Sequence, residues 1–168
     1  GTRPGAPRLH FMDNVDPHTF DALIVGVDWR RTGVIAISKS GSTAETLLQL
    51  AALIGALQTY VAEDRIADHL VVITEPTDNP LAMIAQQYGC RVLDHHREIG
   101  GRYSVLSVTG LLPAAIAGFD IGRLREGAAM VLDRLLSDKR AADIPPAAGA
   151  ALSVGLNLHT GIGISVMM

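Results

Sequence analysis

Two spacings of apolar residues alternate along the chain. Short runs rich in apolar side chains occur at 9–12, 34–37, 70–73 and 91–93, and between them apolar residues return every three or four positions. The runs have the length of strands. Those at 34–37 and 70–73 are apolar throughout, as a strand covered on both faces must be. The intervening stretches predict helices. Asp16-Pro17 is a start signal, with Asp as cap and Pro in the first helical position, for a helix over 17–25. Leu47, Leu48, Leu50, Ala51, Ile54 and Leu57 mark a second helix, and Leu81, Ile84 and Ala85 a third that Gly89 stops. A fourth runs over 104–117 with Pro113 as a kink. A fifth covers 121–136 with Leu124, Ala128, Val131, Leu132 and Leu135 on one side. Pro145-Pro146 opens a sixth over 147–158, Ala-rich and nearly all apolar, which predicts a buried helix, or, in a fragment, one with part of its surface facing solvent or a partner. Phe11 and Met12 are expected beneath the first helix, and Trp29 as a half-buried lid. Strands alternating with helices imply an α/β fold, a three-layer αβα sandwich around a parallel sheet of flavodoxin-like or Rossmann-like type, with right-handed crossovers.

The densest chemistry lies between the strand at 34–37 and the helix after it. Ser38, Lys39, Ser40, Gly41, Ser42 and Thr43 supply four hydroxyls, one ammonium and one residue without a Cβ. Ser42-x-x-Glu45 has the form of a capping box, which starts the helix at Ser42 or Thr43. A helix start presents free N–H groups and a positive dipole end, and hydroxyls converging there make an anion site, most often for phosphate. Gly41 allows a sharp turn and a close approach to backbone. A plain cap is the alternative reading, although a cap uses only one or two hydroxyls. The spacing is neither that of a Walker loop nor that of a dinucleotide fingerprint.

Residues 38–46, Ser38-Lys39-Ser40-Gly41-Ser42-Thr43-Ala44-Glu45-Thr46, resemble the phosphosugar loop of sugar isomerase (SIS) domains. Gly100-Gly101-Arg102-Tyr103-Ser104 and the residues up to Leu111 resemble the signature of the glucose-6-phosphate isomerase (phosphoglucose isomerase) family, in which a Gly-Gly-Arg-aromatic-Ser segment precedes a helix. The two motifs stand in the family's order and at about its separation, and the resemblance runs from about Arg8 to Met168. It implies an SIS-type phosphosugar-binding domain over 1–160, truncated at its N-terminus, with 161–168 opening a following domain or connecting strand. It also implies reversible aldose–ketose isomerisation of glucose 6-phosphate and fructose 6-phosphate, no cofactor, and a homodimer. The phosphate would be held by Ser38, Lys39, Ser40, Gly41, Ser42 and Thr43. Gly100 and Gly101 would lend backbone to the substrate site, and Arg102 would be catalytic.

Composition narrows the class further. At 168 residues, 48% hydrophobic and 18% charged, the chain is long enough and apolar enough for a proper core. A net charge of -3 argues against a nucleic-acid surface, and a single cysteine, Cys90, excludes an intrachain disulfide and fits a reducing compartment. No run has the length of a membrane span and no signal peptide opens the chain, so cytoplasm is the default expectation. The first residues form a loop without an initiator Met and the last are apolar without a polar tail, which suggests a piece of a longer enzyme.

The reaction the resemblance implies needs a held phosphate, a fixed cation beside an enediolate, and a base. Hydroxyls and backbone N–H groups at 39–43 can do the holding. The Lys39 side chain has alternatives in solvent or in a carboxylate partner. Arg102 is the candidate cation; its other reading is a buried structural ion pair. No residue matches the family's base or its ring-opening His and Lys, so the chain alone is expected to be inactive. Asp94-His95-His96-Arg97-Glu98 offers no metal site, because adjacent residues on an extended chain point to opposite faces; a polar loop at a strand end is the expectation there. Two other classes stay open: a non-catalytic phosphosugar-binding module, and a nucleotide-binding α/β domain, the latter disfavoured by the missing glycine fingerprints.

Overall fold

A computed structural model describes residues 5–137 and 140–163. Three strands form its sheet: β1 (Val34–Ile37), β2 (Leu70–Thr74) and β3 (Arg91–Asp94). They are parallel and in the order β1-β2-β3, with Val34 beside Leu70 and Val71 beside Arg91. The helices are α1 (Pro17–Gly26), α2 (Ala44–Tyr60), α3 (Pro80–Tyr88), α4 (Val108–Ile116), α5 (Ile121–Leu135) and α6 (Pro145–Thr160). The chain is therefore an α/β protein with a parallel sheet. It divides into two compact units at Phe119 and Asp120.

In the first unit, alternate strand residues Ala36, Leu70 and Val72 meet Leu50 and Ile54 of α2 and Leu81 and Ala85 of α3. This is the periodicity of two on the strands meeting the periodicity of three and four on the helices. Each fully buried Leu in that cluster contributes about 1.5–3 kcal/mol through removal from water. The start and stop signals work as local chemistry requires. The Asp16 carboxylate accepts from the Thr19 amide at 2.8 Å, with Pro17 in the first turn of α1. Gly89 ends α3 in the left-handed region at φ 67°.

Several expectations are corrected. Residues 9–12 do not form a strand. A cavity of 310 Å³, lined by those residues and by all of β1, separates them from the nearest sheet edge, and a strand requires a partner for its backbone. Phe11 is accordingly 77% exposed instead of packing under α1. Trp29 is more than a lid: it is 3% exposed, with its indole N–H donating to Ile24 O at 3.0 Å. The capping box is absent. Thr43 is the N-cap of α2 without a side-chain cap bond, because its hydroxyl turns to Ser38. The helix expected from Ser104 begins at Val108: the Ser104 hydroxyl closes a turn onto Gly101 O at 2.7 Å, and Ser107 caps α4 through the Thr109 amide. Pro113 lies inside α4, which continues to Ile116.

In the second unit, Asp120 caps α5 by accepting from the Arg123 amide at 3.1 Å. Here α6 is not buried: Leu152, Val154 and Leu158 are all more than half exposed. Gly161 caps α6 at φ 69°, and residues 164–168, where a connecting strand was expected, lie outside the described residues.

Candidate functional site

Because the strands are parallel, the segments that follow them gather at one edge of the sheet, where α/β proteins bind their ligands. The loop after β1 is closed from within. The Gly41 amide donates to Ser38 O at 3.2 Å and to Ser38 Oγ at 3.1 Å, and Ser38 Oγ lies 2.9 Å from Thr43 Oγ1. Ser38 is buried, whereas Ser40, Ser42 and Thr43 are exposed at the start of α2. The Ser42 hydroxyl donates to Ser40 Oγ at 3.1 Å. The first-turn amides of α2 carry no side-chain cap, so the positive end of a 17-residue helix opens onto three exposed hydroxyls.

The loop is also held from outside. Gly41 has φ 65°, and a Cβ there would land on Asn79. Its carbonyl accepts from the Leu81 amide at 3.0 Å. Asn79 is buried: its Oδ1 caps α3 by accepting from the Ala82 amide at 2.9 Å, and its Nδ2 donates to Glu75 O and Thr77 O. The Lys39 carbonyl accepts from the Glu75 amide at 3.1 Å, and the Thr74 hydroxyl donates to it at 3.3 Å. The Lys39 ammonium points to a carboxylate, Glu75 Oε1 at 3.5 Å, and donates to Arg97 O at 2.7 Å.

Arg102 sits in a short turn, Gly101–Tyr103, anchored downstream by the Ser104 hydroxyl on Gly101 O. Its side chain is exposed and has no ion pair among the described residues, so the buried structural pair is not what forms. The residues expected at the site thus fall into two segments: 38–43 form one closed loop, and Gly100, Gly101 and Arg102 follow β3 a few residues after Arg97.

The side chains of the adjacent histidines after β3 bond within their own loop. His95 is 1% exposed, and its Nδ1 lies 3.1 Å from His96 O, while His96 Nδ1 accepts from the Glu98 amide. No group of three His, Cys, Asp or Glu side chains able to hold a metal occurs among the described residues. Burial pushes the Cys90 thiol up from its ordinary pKa, away from the thiolate that nucleophilic chemistry requires. No helix among the described residues is long and apolar enough to cross a membrane.

Residues 2–161 match the family model for phosphoglucose isomerase. The chain belongs to the phosphoglucose isomerase family. It is 38% identical over 164 residues to a glucose-6-phosphate isomerase of Rubrobacter xylanophilus, covering 98% of this chain and 38% of that protein. It is 38% identical to a glucose-6-phosphate isomerase of Thermus thermophilus, covering 96% of this chain and 37% of that protein. Among solved structures, a hypothetical protein from Thermus thermophilus aligns with a TM-score of 0.77 at 37% identity, over 92% of this chain and 36% of that one. The chain therefore spans somewhat over a third of the length of these relatives.

Sequence reasoning about this isomerase-family chain passed over Asn79, Glu75 and Arg97. Asn79-Pro80 did carry a signal, a cap residue before a Pro in the first helical position. Glu75 and Arg97 carried none, because they lie 36 and 58 positions from Lys39 and the Arg97 guanidinium meets Pro76 O in another loop.

Proposed function

We propose that this chain is the phosphosugar-binding domain of a glucose-6-phosphate isomerase, an aldose–ketose isomerase that interconverts glucose 6-phosphate and fructose 6-phosphate. The observation that carries this reading is the loop 38–43: three exposed hydroxyls on an uncapped helix start, at the carboxyl edge of a parallel sheet. Ser38 already accepts from the Gly41 amide. In the proposed arrangement it gives its own proton to Thr43 Oγ1, which frees the Thr43 O–H for the phosphate. Ser40, Ser42 and the amides of Lys39, Ser40 and Thr43 complete the cradle, with the Lys39 contribution coming from its backbone. Arg102, exposed and unpaired among the described residues, stabilises the enediolate oxygen, and Gly100 and Gly101 let the backbone follow the substrate.

The base belongs to another part of the full-length enzyme. Hydroxyls without an adjacent base and a guanidinium cannot remove a proton from carbon at neutral pH. Residues 1–168 alone should then show no conversion in a coupled assay. The cavity beside β1 fits the same reading: a further strand of the full-length enzyme would lie between residues 9–12 and β1 and pair with both. The enzyme would be a homodimer.

Binding of fructose 6-phosphate to the full-length enzyme tests the cradle. Ser40→Ala and Thr43→Ala each remove a donor to a charged acceptor and should weaken binding by about 1.5–3 kcal/mol. Unchanged affinity in both variants would remove the phosphate from this loop. Turnover by residues 1–168 that vanishes in Arg102→Ala would show that the base lies inside the chain.

A further inference from the structure

Four of the loop contacts described above share one residue. Lys39 belongs to the loop that presents the hydroxyls, yet its ammonium reaches the loop after β2 at Glu75 and the loop after β3 at Arg97 O. Arg97 in turn donates from its guanidinium to Pro76 O at 2.9 Å, back to the loop after β2. All three loops are thus tied together at the sheet edge. Arg97 lies five residues before Arg102. Between them come Gly100 and Gly101, which hold no backbone angle by themselves. A turn that begins on two glycines keeps its place only if the chain is anchored on both sides. Downstream, the anchor is the buried Ser104, whose hydroxyl bonds Gly101 O. Upstream, Ile99 and Glu98 bond only within their own turn, to His96 O and His96 Nδ1. Further back the buried His95 amide donates to Thr74 O at 2.7 Å, and Arg97 itself is tied twice to the neighbouring loops, by its guanidinium on Pro76 O and by the Lys39 ammonium on its carbonyl, the contact that joins it to the loop carrying the hydroxyls.

We propose that Lys39 is a positioning residue: its ammonium is a strap that fixes the Arg102 turn relative to the loop carrying the phosphate donors. The proposal rests on the reading of Arg102 given above for its catalytic consequence, but not for its structural one. An ammonium that spans a carboxylate and a carbonyl is already neutralised and directed, so it adds little to the charge felt by a ligand phosphate. What it adds is register between the group that holds one end of a substrate and the group that meets the reacting end. Misplacement of a reacting group by about 1 Å can cost on the order of a hundredfold in rate without a comparable loss of affinity.

The test uses Lys39→Met in the full-length enzyme, which keeps most of the apolar stem and removes the charge and the donors. The direct readout is amide exchange at Tyr103 and Ser104, whose N–H groups close the Arg102 turn onto Gly100 O and Gly101 O. Exchange there should rise about tenfold, as expected for a turn that opens locally while the sheet stays closed. The kinetic readout is a fall in kcat of about tenfold or more, with inhibition by inorganic phosphate changed less than about twofold. Lys39→Arg, which restores donors of similar reach, should recover most of both. Glu75→Gln loosens the strap without cutting it, should give a smaller rise in exchange, and carries the test if Lys39→Met does not fold. Unchanged exchange at Tyr103 and Ser104 in the folded variants overturns the strap. Weakened phosphate inhibition with unchanged exchange also overturns it and makes the ammonium a phosphate ligand. Full turnover in Arg102→Lys, measured alongside, would count against the catalytic reading of Arg102 and leave the exchange result standing.

Discussion

The loop at 38–43 and the segment at 100–104 both present polar groups on the same unit, but they are held in opposite ways. The first loop is turned and held by backbone bonds within itself and to the segments beside it. Gly41 bonds to Ser38 and Leu81, and the Lys39 carbonyl meets Glu75 and Thr74. The second segment rests on two glycines and a three-residue turn, with Arg102 and Tyr103 exposed and only Ser104 buried. The difference suits two tasks. A cradle that holds a phosphate equally in ground and transition states benefits from being complete beforehand. A cation that must meet charge as it develops has to be free of a competing carboxylate.

The comparison can be broken first at its looser end. Arg102→Lys in the full-length enzyme keeps the charge but loses the planar fork, and should lower kcat by about 10²–10³ with a smaller change in KM. A raised KM with normal kcat would move Arg102 to ground-state binding. The next largest effect is at the rigid end. Gly41→Val requires a β-branched residue at φ 65° and places its Cβ on Asn79, so left-handed strain of about 1–2 kcal/mol adds to the disturbed α3 cap, another ~1 kcal/mol. Denaturant unfolding should report the sum, and an unchanged midpoint would mean that the loop is less determined than its contacts imply. The smallest effect sharpens the point. Asn79→Ala removes the cap of α3 and should cost about 1 kcal/mol. It also removes the Asn79 Oδ1 and Cγ atoms that a Cβ at Gly41 would meet, leaving only the Asn79 Cβ at 2.9 Å, so the cost of Gly41→Ala should be smaller in that background than in the parent. A double-mutant cycle measures the coupling, and strictly additive costs would show that the two residues do not meet.

Local chemistry made much of this legible beforehand. Asp16-Pro17 and Gly89 mark helix ends that form as expected, because a cap and a left-handed glycine act within a few residues of themselves. Val34–Ile37 and Leu70–Thr74 form strands because their β-branched, apolar side chains suit a pleated sheet packed against helices. The misreadings share a cause. Ser42-x-x-Glu45 has the form of a capping box, yet Thr43 is the N-cap and its hydroxyl turns to Ser38 five residues back, since neighbouring hydroxyls compete for the same local partners. Residues 9–12 have the pattern of a strand, but a strand is a property of a pair.

The sequence by itself determined the α/β class, the two motifs and the family they point to, because periodicity, capping and residue identity at fixed spacing are short-range facts. Only the tertiary structure decided which of the motif residues stay free. Lys39 and Arg102 are both cations in motifs, yet Lys39 ends on Glu75 and Arg97, and Arg102 ends without an ion pair among the described residues. That outcome depends on how parallel strands bring the segments after β1, β2 and β3 to one edge. Contacts across 36 and 58 positions of chain are set by that register and by nothing in the residues' immediate neighbourhood.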